Sequence, residues 1–213
     1  MKLSWKREIL SLAMLTATAV IGLHYYSFLP DTVASHYDIH GRPNGYMPKT
    51  LFILVMGGAV LFIYLLLTFL PLIDPFKKKI EVKFKNVLLL RDASVVFFVV
   101  LFTLSLQAAR AGILNVDLFG IAFGVLLIVI GNYMPKIPQN FFLGIRTPWT
   151  IISEVVWKKT HIVGGWLFVL SGVIYLVCAA LKINSVIPLS GIVVASLVSV
   201  AYSFFLYEKM QKD

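Results

Sequence analysis

Residues 116–134 read VDLFGIAFGVLLIVIGNYM, and the only charge in the run is Asp117 at its second position. At about 1.5 Å of rise per residue, a helix of this length spans roughly 28 Å. A bilayer's hydrocarbon core is about 30 Å thick, so a membrane-crossing helix is the direct reading. On either side of it, five more apolar runs occur at 9–29, 51–73, 93–109, 162–181 and 186–207. Each reaches the roughly 17–25 residues that a span requires, and 93–109 is the shortest.

The whole chain agrees with this reading. Of 213 residues, 59% are hydrophobic and 14% charged, and the mean hydropathy is +0.88. Soluble domains carry about 45–50% apolar and about 25% charged residues. Such a chain cannot hide its apolar surface from water, and the expected fold class is all-α: a polytopic membrane protein of six transmembrane helices. The basic start (Lys2, Lys6, Arg7) ahead of 9–29 suggests a signal peptide. However, the run exceeds a typical apolar core of about 7–15 residues and no small-x-small cleavage site closes it, so a retained helix is expected. Cys178 is the single cysteine, which excludes an intrachain disulfide and a thiolate zinc site.

The net charge of +9 raises nucleic acid as a partner, but its placement argues for topology instead. Fifteen of the 19 Lys and Arg residues fall on one side of the six runs, in the two termini and in the loops 74–92 and 135–160. Arg42, Lys49, Arg110 and Lys182 fall on the other. By the positive-inside rule both termini are cytoplasmic in a cell-membrane protein, and no direct nucleic-acid contact is expected. The segment KKKIEVKFKNVLLLRD within 74–92 is basic and amphipathic, suited to the anionic inner leaflet. On this division the chain has an N-terminal two-helix domain with an ordered extracellular loop (1–75), a basic cytoplasmic connector (76–92) and a four-helix membrane core (93–213). Gly120-x-x-x-Gly124, Gly57-Gly58, Gly164-Gly165 and Gly172 permit close helix approach.

Two loops are too long for simple turns. The outer loop 30–50 reads PDTVASHYDIHGRPNGYMPKT and places His36, Asp38 and His40 at alternate positions. In an extended segment these would share one face, which allows a transition-metal site as a minority reading. The other reading is a polar loop held by its own turn residues, in which His36, Asp38, His40, Arg42 and Tyr46 are candidate contacts for an external partner. The inner loop 135–160 reads PKIPQNFFLGIRTPWTIISEVVWKKT, and its three prolines forbid a continuous helix. A helix can begin at Pro148. On it Glu154 would face Lys158, and Trp157 would face His161, at spacings of four. Trp149 and Trp157 suit the headgroup level. Asn132, Asn140, Gly144, Arg146, Pro148, Trp149, Glu154, Trp157 and His161 therefore form a candidate cluster, either a lipid anchor or a functional inner mouth. Enzyme signatures such as His-Glu-x-x-His or Gly-x-Ser-x-Gly are missing, so no catalytic residue and no cofactor is expected.

These loops also carry a family resemblance. Leu29-Pro30, His36, Gly41, Pro43, Gly45-Tyr46 and Lys49 resemble the short N-terminal domain of SdpI-type bacterial membrane proteins. Gly131-Asn132, Pro135-Lys136, Asn140, Gly144 through Thr150, Glu154, Trp157, Thr160-His161 and Gly164-Gly165 resemble the SdpI core motif. The resemblance implies an immunity protein of a Gram-positive, Bacillus-like bacterium that protects its producer from a secreted peptide toxin attacking the membrane. It implies a second role in signal transduction, holding a transcriptional repressor at the inner membrane face. The family brings no catalytic residues. From the residues alone the alternative is a small membrane transporter or exporter, which would require a polar path through the helices. The lipid bilayer is a partner in either case, and the oligomeric state is left open.

Overall fold

The computed structural model describes residues 4–183 and 186–212; Lys2, which contributes to the charge asymmetry, lies outside them. Among the described residues, six helices are long and apolar enough to cross a membrane. In chain order the elements are α1 (Trp5–Tyr26), strands β1 (Thr32–Tyr37) and β2 (Pro43–Pro48), α2 (Lys49–Ile73), the short α3 (Lys77–Val82) and α4 (Phe84–Ala111). There follow α5 (Val116–Tyr133), a 3-10 turn (Met134–Lys136), the short α6 (Pro148–Ile152), α7 (Glu154–Ala180) and α8 (Val186–Lys212).

The spans assort as two groups of three. Helices α1, α2 and α4 pack on one another, α7 packs on both α5 and α8, and α4 meets α5 between the groups. The first group closes around Phe52, Val60, Val95, Phe102 and Leu106. A smaller apolar cluster of Ile80, Phe84, Val87, Leu88, Ile137 and Trp157 ties α3 and α4 to the second group, at the end of the bundle that bears both termini.

Local chemistry sets the boundaries. Gly112 adopts φ +75° just past α4, and its N–H bonds the Ala108 carbonyl, the left-handed stop that glycine tolerates best. Asn115 caps α5 by accepting from the Leu118 N–H. Ser153 caps α7 by accepting from Val156, and Thr147 and Thr150 form a reciprocal capping box on α6.

The third span starts well before 93. Helix α4 begins at Phe84 and is the longest described helix, with 28 residues. Arg91 and Asp92, which suggested a connector, sit inside it. The Arg91 side chain is fully buried. Its guanidinium donates to both Glu8 carboxylate oxygens at 3.0 and 2.9 Å, to Asp92 at 2.8–2.9 Å, and to the Arg7 carbonyl at 3.2 Å. Tyr64 donates to Glu8 and Ser11 to Asp92. Glu8 and Asp92 offset part of the cost of taking the guanidinium out of water, and removing either would leave a buried charge less well compensated.

The closest helix approach is between α5 and α7. A Cβ on Gly131 would lie 2.5 Å from the Gly165 carbonyl oxygen, and one on Gly165 2.6 Å from that of Gly131. Two turns along, Gly124 and Gly172 repeat the arrangement at 2.8 and 2.6 Å. The backbones are therefore in contact at two points that only glycine permits. Gly57 and Gly58, by contrast, face nothing closer than ordinary contact. Replacing Gly131 or Gly172 by Leu should lower the midpoint of thermal unfolding in detergent by roughly 5–10 °C. Gly58→Leu should leave it within about 2 °C, and fluorescence-detected size exclusion after heating would read both.

Candidate functional site

Two ordered regions lie at opposite ends of the bundle. The first is the β1–β2 hairpin between α1 and α2. Its strands pair antiparallel, with Val33 opposite Met47 and His36 opposite Gly45, and irregularities flank His36. Val33 and Ala34 are buried. The turn is built by Asp38, whose Oδ1 accepts the N–H groups of His40 at 2.8 Å and Arg42 at 2.9 Å. The Arg42 N–H, with help from that of His40, holds the carboxyl below the usual carboxylate range. Gly41 at φ +75° presents its carbonyl to the Leu114 N–H at 2.9 Å, and a Cβ there would collide with Leu114. The hairpin tip is thus fastened to the α4–α5 connection. At its base Lys49 pairs with Asp31 at 3.0 Å and lies over the Tyr26 ring.

This geometry overturns the shared face of His36, Asp38 and His40. Strand β1 ends at Tyr37, so Asp38 and His40 lie in the turn and the alternation stops. His36 stacks over Gly45 and its Nδ1 meets the Ser35 hydroxyl at 3.0 Å. Among the described residues no three His, Cys, Asp or Glu side chains converge on a metal position. His36, Tyr37 and Asp38 instead line a cavity of about 400 Å³ together with Phe52, Ser105 and Tyr175. Its wall draws on both three-helix groups, and Asp117 and Cys178 also face it. Tyr46, Arg42 and His40 are exposed and are not part of it.

The second region is the loop between the 3-10 turn and α7. Asn140 is buried and spends its whole amide on the loop. Its Nδ2 donates to the Pro138 and Leu143 carbonyls, and its Oδ1 accepts from the Phe142 and Leu143 N–H groups at 2.9 and 2.6 Å. Gly144, at φ +100°, passes so close to His161 that a Cβ would strike the ring. The next N–H, of Ile145, donates to His161 Nε2 at 3.1 Å. Nε2 must therefore be the unprotonated nitrogen, which leaves Nδ1–H to donate to the Trp157 carbonyl at 2.8 Å. The Trp157 ring stacks on His161 at 4.0 Å, and its Nε1 donates to the Ile137 carbonyl at 3.0 Å.

The structure thus brings Asn140, Gly144, Trp157 and His161 into one folded plug. Trp157, at 2% exposure, is a core residue and not a headgroup anchor. Trp149 bonds Ser203 of α8 at 2.6 Å. Glu154 pairs with Lys79 of α3 at 2.6 Å, and Lys79 also donates to Gln139. Asn132 stays outside the plug and bonds the Ile128 carbonyl of its own helix. Arg146 and Pro148 are exposed, with Arg146 donating to the Phe141 carbonyl.

Of the further residues that build this region, Gln139 stands out in the sequence as a loop amide beside Asn140, whereas Asp74, Arg91 and Leu143 do not. Buried Asp74 joins α2 to the plug, accepting from the Phe76 N–H at 2.7 Å and the Phe141 N–H at 2.8 Å. Gln139 donates to the Thr150 and Ile151 carbonyls. Arg91 and Leu143 both line a cavity of about 170 Å³ beside the plug. A lone Arg-Asp pair inside LLLRDASVV and an aspartate at the end of a span are the signals that could have found Arg91 and Asp74.

Comparison with known proteins agrees with the motifs. Residues 136–207 match the SdpI/YfhL protein family, and residues 13–61 match a domain of unknown function, DUF1648. The chain is similar to Immunity protein SdpI of Bacillus subtilis (strain 168), at 28% identity over 211 residues. That alignment covers 96% of this chain and 98% of the relative. No solved structure matches the chain.

Asn140→Ala removes four hydrogen bonds at a buried position and should destabilise the protein by about 2–4 kcal/mol. Arg146→Ala, on the exposed rim, should change stability by less than about 0.5 kcal/mol. Reversible denaturant unfolding of the two variants in mixed micelles would separate them.

Proposed function

We propose that this chain, which belongs to the SdpI-type family of membrane proteins, is an immunity protein that protects its cell from a secreted peptide toxin. The observation that carries the reading is the alignment to a named immunity protein across almost the whole of both chains. Fifteen of the 19 basic residues lie on the side of the termini, which argues that this side is cytoplasmic and the hairpin extracellular.

On that orientation, toxin arriving from outside meets the hairpin first. His40, Arg42 and Tyr46 are exposed there. The 400 Å³ cavity beneath offers a mainly apolar wall in which Phe52 and Tyr175 could receive an apolar toxin side chain. His36, Asp38 and Asp117 supply polar groups at the same cavity. A mostly apolar pocket with a few placed polar groups is the usual form of a ligand site.

The plug at the other end would face the cytosol. Ile152 is 72% and Val155 48% exposed, and Arg146 of the loop and Lys158 and Lys159 of the first turns of α7 are exposed as well. We assign to this patch the second role that the family resemblance implies, recruitment of a transcriptional repressor. Asn140, Trp157 and His161 would shape it from within, because their polar atoms are already engaged inside the loop.

A toxin-sensitive Bacillus strain expressing the chain should survive challenge with the peptide toxin of the SdpI system. Ser105→Phe, which fills the cavity, should lose most of that survival at unchanged membrane abundance. Arg146→Ala should keep protection while weakening repressor recruitment. Death of cells expressing the unaltered chain at confirmed abundance would rule out immunity against this toxin.

A further inference from the structure

A long groove, about 980 Å³ in volume, follows the sides of α4 and α5, away from both regions already described. Its floor is apolar and exposed, through Val96, Val100, Ile121 and Val125. From Leu88 to Leu104 it follows α4 for about 24 Å, most of a hydrocarbon core of roughly 30 Å. A groove of this length on the flank of two membrane-spanning helices opens sideways to the bilayer.

The two ends of the groove differ in charge. At the termini end it is lined by Lys6, Arg7 and Lys85. All three are exposed. Among the described residues none of their side-chain nitrogens has a carboxylate partner, while Lys49, Lys79 and Arg91 do. Asp92 also lines this end, but its Oδ1 already accepts from Arg91 and Ser11. What remains is three unpaired cations above an apolar trough. At the opposite end the lining residues Leu104 and Leu118 are apolar.

We propose that the groove is a specific binding site for an anionic phospholipid. Its phosphate rests on Lys6, Arg7 and Lys85, and an acyl chain lies along Leu88, Val96 and Val125. Basic pockets between membrane helices recognise lipid phosphates by this combination of point charges and apolar trough. A free phosphate would satisfy the cations and leave the trough empty, so the site should require both parts of the ligand. This inference is independent of the immunity reading and of the assigned orientation.

The test is native mass spectrometry of the full chain released from mild detergent, with dioleoylphosphatidylglycerol and dioleoylphosphatidylcholine offered at equal concentration. One phosphatidylglycerol should be retained in preference to phosphatidylcholine, and glycerol 3-phosphate should not displace it. The triple substitution Lys6→Gln, Arg7→Gln, Lys85→Gln should lower that retention by about tenfold or more. The control triple Lys77→Gln, Lys78→Gln, Lys83→Gln removes the same charge outside the groove and should not lower it. Val96→Trp, which fills the trough and keeps the cations, should lower it as well. Equal retention of the two lipids, an equal loss in the control triple, displacement by glycerol 3-phosphate, or a dimer that forms in place of the lipid complex would each overturn the proposal.

Discussion

Backbone contact between α5 and α7 is the constraint from which the rest of the second helix group follows. At Gly131 against Gly165, and again at Gly124 against Gly172, each glycine occupies the space where its partner's Cβ would stand. Lipid chains are as apolar as leucine, so helices in a bilayer gain little from burying apolar surface on each other. Close packing is what holds them, and small residues make it available. The seam ends at the 3-10 turn that starts with Met134 and carries Pro135, whose ring would contact a Cβ on Gly165. The chain must then leave α5, fold within reach of α7 and come back into it. Ile145 is pressed onto Gly164 beside Ser199 of α8, and Gly144 onto His161. The plug is the shape of a loop forced to return in that space with its polar groups satisfied.

A second constraint acts in the first group. Arg91 is buried with two carboxylates, a carbonyl and the Tyr64 ring around it. It joins α1, α2 and α4 at the termini end. Asp74 then passes the connection on to the plug through the Phe141 N–H. At the other end Gly41 and Leu114 fasten the hairpin to the α4–α5 connection. The groups therefore meet through α4 and α5 and through polar links at both ends, with the 400 Å³ cavity between them.

The parts of the fold legible in the sequence were those fixed by local composition. Six spans follow from runs of apolar residues, and the side of each loop is suggested by its basic residues. Order in the two long loops was legible from their prolines and glycines. What sequence could not supply was partnership over distance. Arg91 and Asp92 looked like the end of a connector because Glu8 and Thr68, which neutralise and bond the arginine, come from other helices. His36, Asp38 and His40 looked coplanar because nothing local shows that the strand stops at Tyr37. Glu154 suggested Lys158 by spacing, yet Lys79 reaches it from α3. Asn140, Trp157 and His161 read as a cluster in the sequence, but their side-chain bonds run inward, which a list of polar residues cannot reveal.

If the glycine seam sets the shape of the plug from a distance, loosening the seam should loosen the loop. Hydrogen–deuterium exchange of the full chain in nanodiscs, comparing the native sequence with Gly172→Ala, tests it directly. Gly172 packs on Gly124 and Ile128, and none of the three belongs to the loop. Exchange across residues 137–147 should be faster in the variant, with the hairpin at 32–48 unchanged. Faster exchange confined to the neighbourhood of Gly172, with 137–147 as protected as before, would contradict it.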